Sequence, residues 1–568
     1  MKSIKKRTQA LGAVVVVSLV TGVFFTNCAK NGFNIERKES VGADPLVEYA
    51  WHLSNSGQKV FAEEGGTPGN DLNLLNTWNE GISGKGLRIL ISDDGVEDTH
   101  EDLQSNYLYG GYSKNYQLSA PYLANSSPPL NVDDNHGTAV AGLVGALGSN
   151  AKGSRGVAFG ASIVSANFLS AAVIPSQSTL VDQAGGNYDI FNMSWGSTQN
   201  DLSDPVDPFL SQMRERALNG RSGRGSIYVK SAGNDFLVKC HNDTSSYCIG
   251  NANYDSDNST PYTILVSALN AMGYAASYSS PGANVWISSF GGEFGDDSPA
   301  MVTTDRTGCS DGFATSSSSS KVAFERGAQG NAGCKYSVTF NGTSSAAPVM
   351  SGAVALLLEA NPNLTWRDVK YIFAKTASSI QYSTAPLYTH PLHETLPSGY
   401  AWELGWITNA AGFKFHNWYG FGRVNVDAAV AMAKSYTSPF SSFIETNWAN
   451  DRSGLSSAIP DNSATGVTDT MSVGTNIKIE SVQLKVWITH PNISELALEL
   501  TSPSGTKNIV INANNALRDI GNYAGEVFLS NAFYRENSGG TWTLRVVDAK
   551  SMNTGTLTRW SLSFTGSN

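Results

Sequence analysis

Short apolar runs bounded by glycine recur along the first two thirds of the chain. Four of them are rich in β-branched or aromatic residues and show little alternation with polar ones: residues 87–92, 161–169, 188–195 and 226–230. An apolar run without alternation predicts a strand that is buried on both faces, as in a parallel sheet. The first domain is therefore expected to be built on parallel strands.

Helices are predicted where small or apolar residues follow a polar or glycine-rich start. One begins at His136. In a second, a small-residue turn within residues 340–348 leads into a helix that has Ser344 in its first turn and continues through the apolar run 349–360. A third is expected from Thr365 to about residue 377, because Thr365 with Asp368 has the spacing of a helix N-cap. A last helix ends at about Lys434.

The periodicity changes after the Ser/Pro linker formed by residues 435–442. Shorter β-type runs follow, separated by Asn, Gly and Ser turns: residues 478–487, 496–501, 508–511, 539–548 and 557–564. Several short strands at such spacing predict an all-β sandwich or jelly roll over residues 443–568.

Composition narrows the class of protein. The 568 residues carry a formal net charge of −10, so a nucleic-acid partner is not expected. The chain is 41% hydrophobic and 10% aromatic, which suffices for a sizeable core, and its many Gly, Ser and Asn residues suggest a loop-rich extracellular protein.

The N-terminus has the layout of a secretory signal, expected over residues 1–28. Four basic residues within residues 2–7 precede the apolar run 11–25, which is short for a membrane span. Residues 25–28 resemble a bacterial lipoprotein box, although that pattern prefers Leu at its first place and Gly or Ala before the cysteine. The chain is expected to be exported, either as an outer-membrane or cell-surface lipoprotein held only through Cys28, or as a secreted protein.

The five cysteines fit export. Cys240, Cys248, Cys309 and Cys334 can pair with one another, which leaves Cys28 as the odd one. Metal binding by these four is the alternative, but disulfides are favoured in an exported chain.

Three segments carry the residues of a nucleophilic triad in sequence order. Asp93-Asp94-Gly95 ends the first apolar run, His136-Gly137-Thr138 begins a helix, and Gly342-Thr343-Ser344 turns into the next helix. Small residues let a substrate backbone approach, and a helix N-terminus offers free N–H groups to developing negative charge. The order Asp…His…Ser is that of subtilisin.

With these motifs the chain resembles the subtilisin-like serine proteases, whose signatures read Asp-x-Gly, His-Gly-Thr and Gly-Thr-Ser-x-Ala-x-Pro. The segment 231–234 resembles the family's oxyanion asparagine segment. The resemblance implies that Ser344 attacks, His136 transfers the proton, Asp93 orients His136, and Asn234 stabilises the oxyanion together with the Ser344 N–H. Asp93 is the triad member because the family places one residue between the aspartate and Gly95.

Further segments resemble the kexin and furin branch. Residues 93–103 match its Asp-loop, and residues 489–506 and 539–562 match two signatures of its P domain. The resemblance implies an α/β subtilisin-like peptidase domain with a doubly wound parallel sheet over residues 41–436, followed by a P domain over residues 443–568 that stabilises it.

The same resemblance implies the substrate-binding residues. Three carboxylates match positions that favour basic residues before the scissile bond, and an edge segment pairs with an extended substrate: these are Asp94, Asp133 and Asp255, and Ser194, Trp195 and Gly196. A solvated turn at Asp133 and an ordinary buried Trp195 are the alternatives. Because the acidic positions of a second calcium site read Gln199 and Ser280, that ion is expected to be absent and the basic preference to be weaker than in furin.

One structural Ca²⁺ is implied by the resemblance, with polar loop residues that hold no ion as the alternative. Its ligands would be the side chains of Asp44, Asp102 and Asn150 and the carbonyls of Leu147, Lys152 and Ser154. Six to eight hard oxygens, several of them from loop carbonyls, suit calcium.

The expected function is that of a monomeric serine endopeptidase acting on proteins or peptides with a basic preference. The alternatives are a broad-specificity extracellular subtilase and a catalytically silent surface binding scaffold. About 15 residues separate Cys28 from Asp44, less than a propeptide of this family needs. The protease is therefore expected either to fold unaided or to use an external chaperone or inhibitor. The insertion at residues 291–335 has no assigned role.

Overall fold

Parallel strands organise the first domain, as the apolar runs predict. The computed structural model describes residues 44–199, 202, 207–240, 247–328, 330–380, 396–517 and 521–568. The predicted signal segment and Cys28 lie outside these residues. The strands of this domain are β1 (Arg88–Ser92), β2 (Ser113–Lys114), β3 (Leu123–Ala124), β4 (Ser162–Ala166), β5 (Ile190–Met193), β6 (Ile227–Ser231), β7 (Val238–Lys239), β8 (Tyr247–Cys248), β9 (Thr263–Leu269), β10 (Ile287–Phe290), β11 (Met301–Thr304), β12 (Tyr336–Phe340), β13 (Ile407–Thr408) and β14 (Lys414–Phe415).

The main sheet has eight strands in the order β10-β9-β6-β5-β1-β4-β2-β3. All neighbours are parallel except β3, which runs antiparallel to β2. Strand order reverses at β1, since the chain passes from β1 to β4 on one side and then to β5 on the other. Ligands bind to open sheets of this kind at the carboxyl ends of the strands beside such a switch point.

Seven α-helices accompany the described strands. They are α1 (Leu75–Asn79), α2 (His136–Gly145), α3 (Gln177–Gln183), α4 (Asp207–Gly223, with non-helical backbone at 220–222), α5 (Thr343–Ala360), α6 (Trp366–Thr376) and α7 (Val426–Lys434). The predicted capping box is present: Thr365 Oγ1 accepts the Asp368 N–H, and the Asp368 carboxylate accepts the Thr365 N–H.

Helix α5 lies at the centre of the domain, against β5, β6, β9 and β10. Among the described helices it alone has the length and apolarity to cross a membrane, and 83% of that stretch is buried inside the protein. The apolar residues of α5 therefore form part of the domain core.

The C-terminal region forms the predicted sandwich of two antiparallel sheets. One sheet has the order β15-β24-β19-β22, with β16 and β17 also paired to β24, and the other has the order β18-β23-β20-β21. The aromatic rings of Trp542 and Phe564, from opposite sheets, meet at 5.3 Å. The strands are β15 (Ile444–Glu445), β16 (Asn450–Arg452), β17 (Ser457–Ile459), β18 (Val467–Val473), β19 (Lys478–Thr489), β20 (Leu496–Thr501), β21 (Lys507–Ile511), β22 (Asn522–Ser530), β23 (Gly540–Asp548) and β24 (Gly555–Ser567).

The two domains share one apolar core, and Asp44–Asn568 form one compact unit. Tyr534 of the sandwich packs its ring on Trp286 of the first domain, with centroids 5.1 Å apart. Polar side chains join the same interface: Arg367 donates to Glu480 at 2.8 Å, and Asn253 exchanges two hydrogen bonds with the Leu529 backbone. Ring packing, an ion pair and hydrogen bonds therefore all join the two domains.

Candidate active site

The predicted chemical groups converge at the carboxyl edge of the sheet. Asp93 follows β1, Ser194 follows β5 and Asn234 comes three residues after β6, and these three strands are neighbours. His136 and Ser344 stand in the first turns of α2 and α5, which lie over the same edge.

Asp93 and His136 form a tight pair. The His136 Nδ1–H donates to Asp93 Oδ1 at 2.8 Å, and Asp93 is only 1% exposed. Burial alone lowers the pKa of His136, but the Asp93 carboxylate, its hydrogen bond and the nearby Asp94 outweigh burial and raise the pKa to about 9. The imidazolium form is therefore strongly stabilised.

Ser344 makes a different hydrogen bond from the one that attack requires. Its Oγ donates to the Ser194 carbonyl at 3.2 Å, and Ser194 Oγ donates back to the Ser344 carbonyl at 2.9 Å. Within the described part of the chain it makes no hydrogen bond to His136. A rotation of the Ser344 side chain is needed to bring Oγ to Nε2, and such hydrogen bonds commonly tighten only when substrate binds.

The oxyanion donor is already oriented. Asn234 Oδ1 accepts the Thr343 N–H at 2.9 Å and the Thr343 hydroxyl at 2.8 Å, which fixes the direction of the amide. Its Nδ2 has no partner among the described residues and Asn234 is exposed, so this donor is available to substrate. The Ser344 N–H lies in the first helical turn, where backbone donors lack intrahelical partners.

The other predicted carboxylates lie in contrasting surroundings. Asp94 is 7% exposed, and its two oxygens accept the N–H groups of His136 at 2.9 Å and Gly137 at 2.7 Å. Burial, with Asp93 nearby, raises the pKa of Asp94 to about 7. Asp94 therefore caps helix α2, a role that the sequence reading did not include. Asp133 is exposed near the start of the same helix.

A cavity of about 250 Å³ opens beside Ser344. The predicted edge residues Trp195 and Gly196 line it, as do Asn234 and Asp255. Gly196 is exposed, and its N–H and carbonyl make no hydrogen bond within the described residues, as expected of an edge that accepts an added strand. We call this cavity the primary pocket.

The structure adds two charged residues that the sequence reading missed. Lys230, fully buried on β6, places Nζ 2.8 Å from Asp255 Oδ2 and 2.7 Å from Asn258 Oδ1. Asp235, next to Asn234, lines the primary pocket and has no ion pair among the described residues. The sequence does show a lysine inside the apolar run 226–230, but it does not show which residue pairs with that lysine.

The predicted calcium ligands gather around one loop. Asp102 is fully buried, its Oδ1 accepts from Asn150 Nδ2 at 2.7 Å, and its Oδ2 has no partner. Burial raises the pKa of Asp102 to about 7, and the nearby Asp44 carboxylate adds to that rise. Arg155 donates to Asp44 at 2.8 Å and supplies one compensating charge.

The loop carbonyls complete this set. Those of Leu147, Lys152 and Ser154 accept no hydrogen bond within the described part of the chain, and Ser149 and Ala151 adopt left-handed backbone with φ of 62° and 61°. An unpartnered buried carboxylate oxygen beside free carbonyls fits a hard cation such as Ca²⁺.

A second polar cluster lies in the sandwich. His490, Glu495 and Asp548 are buried within ligand distance of one another. Their polar atoms are already used, because His490 Nε2 bonds Asp548 Oδ2 at 3.3 Å and Glu495 accepts from Asn553. The hydrogen-bonding groups of this cluster are therefore satisfied by neighbouring protein atoms.

The insertion at residues 291–335 lies one aromatic ring away from His136, the predicted catalytic histidine. Phe313 packs on Phe340 with ring centroids 5.4 Å apart, and Phe340 packs edge-on against the His136 ring at 5.3 Å. The predicted pairing of the four cysteines is confirmed: Cys309–Cys334 closes this insertion, and Cys240–Cys248 closes a shorter loop.

Comparison with known proteins agrees with this geometry. Residues 84–422 match the subtilase family, and residues 479–564 match the proprotein convertase P-domain. A relative from Aeromonas sobria, an extracellular serine protease, is 33% identical over 541 residues that cover 89% of this chain and 84% of the relative. Human proprotein convertase subtilisin/kexin type 7 is 28% identical over 92% of this chain and 60% of its own length.

Solved structures show the same similarity. The crystal structure of a serine protease of Aeromonas sobria is 30% identical, with a TM-score of 0.81 over 92% of this chain and 96% of that one. The complex of that species' serine protease with its chaperone gives a TM-score of 0.82 at 30% identity, over 93% of this chain and 96% of that one.

Proposed function

The chain belongs to the subtilase family and is a serine endopeptidase with a proprotein convertase P domain, and we propose that it cleaves extended protein segments outside the cell, preferring a basic residue before the scissile bond. The charge of the primary pocket carries this proposal. The charged groups that line the pocket among the described residues are the carboxylates of Asp235 and Asp255. A cationic side chain is favoured in such a pocket.

The residues at the site supply each proton transfer. Ser344 Oγ attacks the scissile carbonyl carbon as its proton passes to His136 Nε2, and Asn234 Nδ2 and the Ser344 N–H bind the oxyanion. His136 then gives that proton to the leaving amine, and an acyl-enzyme forms. Water, deprotonated by His136, releases the acid and restores Ser344. Asp93 stays ionised and holds the imidazole in place.

Peptide hydrolysis tests the proposal. Three peptides that differ only in the residue before the scissile bond (Arg, Leu or Phe) are compared, with Ser344→Ala as the control. We expect faster cleavage after Arg and none by the variant. Faster cleavage after Leu or Phe would reject the basic preference, and no cleavage by folded wild-type protein would favour a silent scaffold.

Broad specificity is the second candidate function. The Lys230–Asp255 ion pair favours it, because this pair removes the charge of one pocket carboxylate. A silent scaffold has less support, since all four residues of the catalytic chemistry are present. The ratio of cleavage rates after Arg and Leu separates the first two functions.

Calcium stabilisation is part of the proposal. Asp44, Asp102 and Asn150, with the carbonyls of Leu147, Lys152 and Ser154, would hold the ion. When bound, Ca²⁺ would supply positive charge that offsets the buried carboxylates. Removal of calcium with a chelator should lower Tm, and Asp102→Asn should abolish that response. An unchanged Tm in the wild type would reject the site.

Export and assisted folding complete the proposal. The Aeromonas sobria relative is named extracellular, and a protease of that species is described in complex with a chaperone. We infer that this chain is secreted or anchored through Cys28, and that an external chaperone helps it fold. Mass spectrometry of the mature N-terminal peptide would detect the lipid. Full activity after expression of the chain alone would reject the chaperone.

A further inference from the structure

We propose that Lys230 is a positioning residue that sets the specificity of the primary pocket: its ammonium is a built-in cation that neutralises Asp255 and leaves recognition of a basic side chain to Asp235. The inference rests on the proposed function, because it concerns the residue before the scissile bond. It reassigns the specificity role that the sequence gave to Asp255.

The surroundings of Lys230 require a partner. The side chain is 0% exposed, and Nζ contacts Asp255 Oδ2 at 2.8 Å and Asn258 Oδ1 at 2.7 Å. It also lies 5.2 Å from the centre of the Trp195 ring, which lines the pocket. A buried ammonium remains charged only when it is paired and hydrogen-bonded, so this lysine and Asp255 stabilise each other.

The ion pair lies directly under the edge that would hold the substrate. A Cβ added to Gly196 would stand 2.6 Å from Asp255 Oδ2 and 3.1 Å from Lys230 Nζ. The Ser197 N–H also donates to Asp255 Oδ2 at 3.2 Å, and the Asp257 N–H donates to Oδ1 at 3.3 Å. Both oxygens of Asp255 are thus in use before any substrate arrives.

On this side of the primary pocket, a basic substrate side chain therefore meets the Lys230–Asp255 pair, which has no net charge. To engage Asp255 it would have to approach the Lys230 ammonium, and two cations repel at short range. Asp235 is the pocket carboxylate without an ion pair among the described residues, and it is partly exposed. Partly solvated charge pairs contribute little, so we expect Arg to be preferred over Leu by about tenfold or less.

Three variants test the role of Lys230, with the ratio of kcat/KM for the Arg and Leu peptides as the readout. Lys230→Met frees the Asp255 carboxylate and should raise the ratio at least about tenfold. Asp255→Asn leaves the ammonium unpaired and should lower it. The double variant Lys230→Met/Asp255→Asn has neither charge and should return the ratio close to that of the wild type, as should the conservative Lys230→Arg.

A purely structural lysine predicts another result. Its loss would lower Tm and slow cleavage of both peptides by the same factor, so an unchanged ratio in folded Lys230→Met would overturn the proposal. If Lys230→Met fails to fold, the double variant Lys230→Met/Asp255→Asn decides. Direct recognition by Asp255 would lower the ratio in that variant, so a lowered ratio there would overturn the proposal.

Active-site titration with a fluorophosphonate separates this inference from the proposed function. It counts competent Ser344 in each preparation without using the primary pocket. Wild-type protein that titrates but cleaves neither peptide would reject both proposals. Wild-type protein that cleaves both, with a ratio that no variant moves, would reject only the role of Lys230.

Discussion

At the residue scale, the protonation of His136 determines when Ser344 can be activated. The imidazole must be neutral to accept the proton, and its pKa is about 9 instead of the ordinary 6.5. The neutral fraction therefore rises about tenfold per pH unit below that value. We expect kcat/KM to increase from pH 6 and to level off near pH 9 in a pH-rate profile.

Asp93→Asn is the matched control for this profile. Loss of the carboxylate removes the stabilisation of the imidazolium, so the rising limb should move to lower pH, while kcat falls by about 10⁴. A limb that stays near pH 9 would contradict the assignment of the raised pKa to Asp93. Because the folded pKa is raised, the pair stabilises the folded chain fully below about pH 6.5 and loses this contribution as pH rises through about 9.

Asn234 permits a second prediction. Asn234→Ala removes the fixed Nδ2 donor and should lower kcat by about 10²–10³, the magnitude known for one oxyanion donor in subtilisin. KM for the peptide should change little, since the donor acts on charge that develops during attack. An equal fall of kcat in Asn234→Ala and Asn234→Asp would agree with a donor role, whereas an unchanged kcat in Asn234→Asp would contradict it.

The predicted triad and oxyanion residues can be proposed from the sequence, but not every electrostatic partner can. Asp93, His136 and Asn234 each stand in a short motif of fixed spacing. Lys230 and Asp255 are 25 residues apart, and their contact depends on how the loop after β8 packs against β6. The capping by Asp94 likewise joins residues that are 42 and 43 positions apart. Such long-range contacts have no local signal.

At the element scale, α6 is the helix that ties the first domain to the sandwich. Arg367 of α6 is 8% exposed and Glu480 of β19 is 7% exposed, so their ion pair is buried in the domain interface. Arg367→Met would remove the ion-pair partner of the buried Glu480 carboxylate and should lower the free energy of unfolding by about 3–5 kcal/mol. Denaturant unfolding measures this change.

The double variant Arg367→Met/Glu480→Leu supplies the control. With neither charge buried, most of the lost stability should return, since apolar replacements of a buried ion pair are often neutral. A double variant as unstable as the single one would show that packing of the arginine, and not its charge, stabilises the interface.

Element prediction succeeded where the local pattern is strong. The strand at residues 496–501 and the capping box of α6 appear as expected, because both depend on neighbouring residues. The insertion could not be interpreted from its sequence. Its indirect contact with His136 passes through Phe313 and Phe340, which come together only in the folded chain.

At the scale of the whole molecule, the sandwich supports the primary pocket. Asn253 precedes Asp255 by two residues, and its amide donates to the Leu529 carbonyl of β22 at 3.2 Å while accepting the Leu529 N–H at 2.8 Å. The segment that carries Asp255 and Asn258 is thereby held from the second domain. The state of that domain should consequently affect substrate binding as well as stability.

Deletion of residues 443–568 tests this dependence. The shortened chain would expose the rings that pack against Tyr534 and leave Arg367 without Glu480, so we expect insoluble or unfolded protein. Expression and circular dichroism of the chain ending at Ser442 measure the outcome. A soluble, active product would contradict an essential role for the second domain.

Most of the linker at residues 435–442 is exposed, so other proteases can reach it. The two domains adhere through a shared apolar core and many hydrogen bonds, and the linker is only one of their connections. A cut in the linker would therefore yield two fragments that stay associated and retain activity. Denaturing electrophoresis would then show two fragments, although the folded enzyme remains assembled and active.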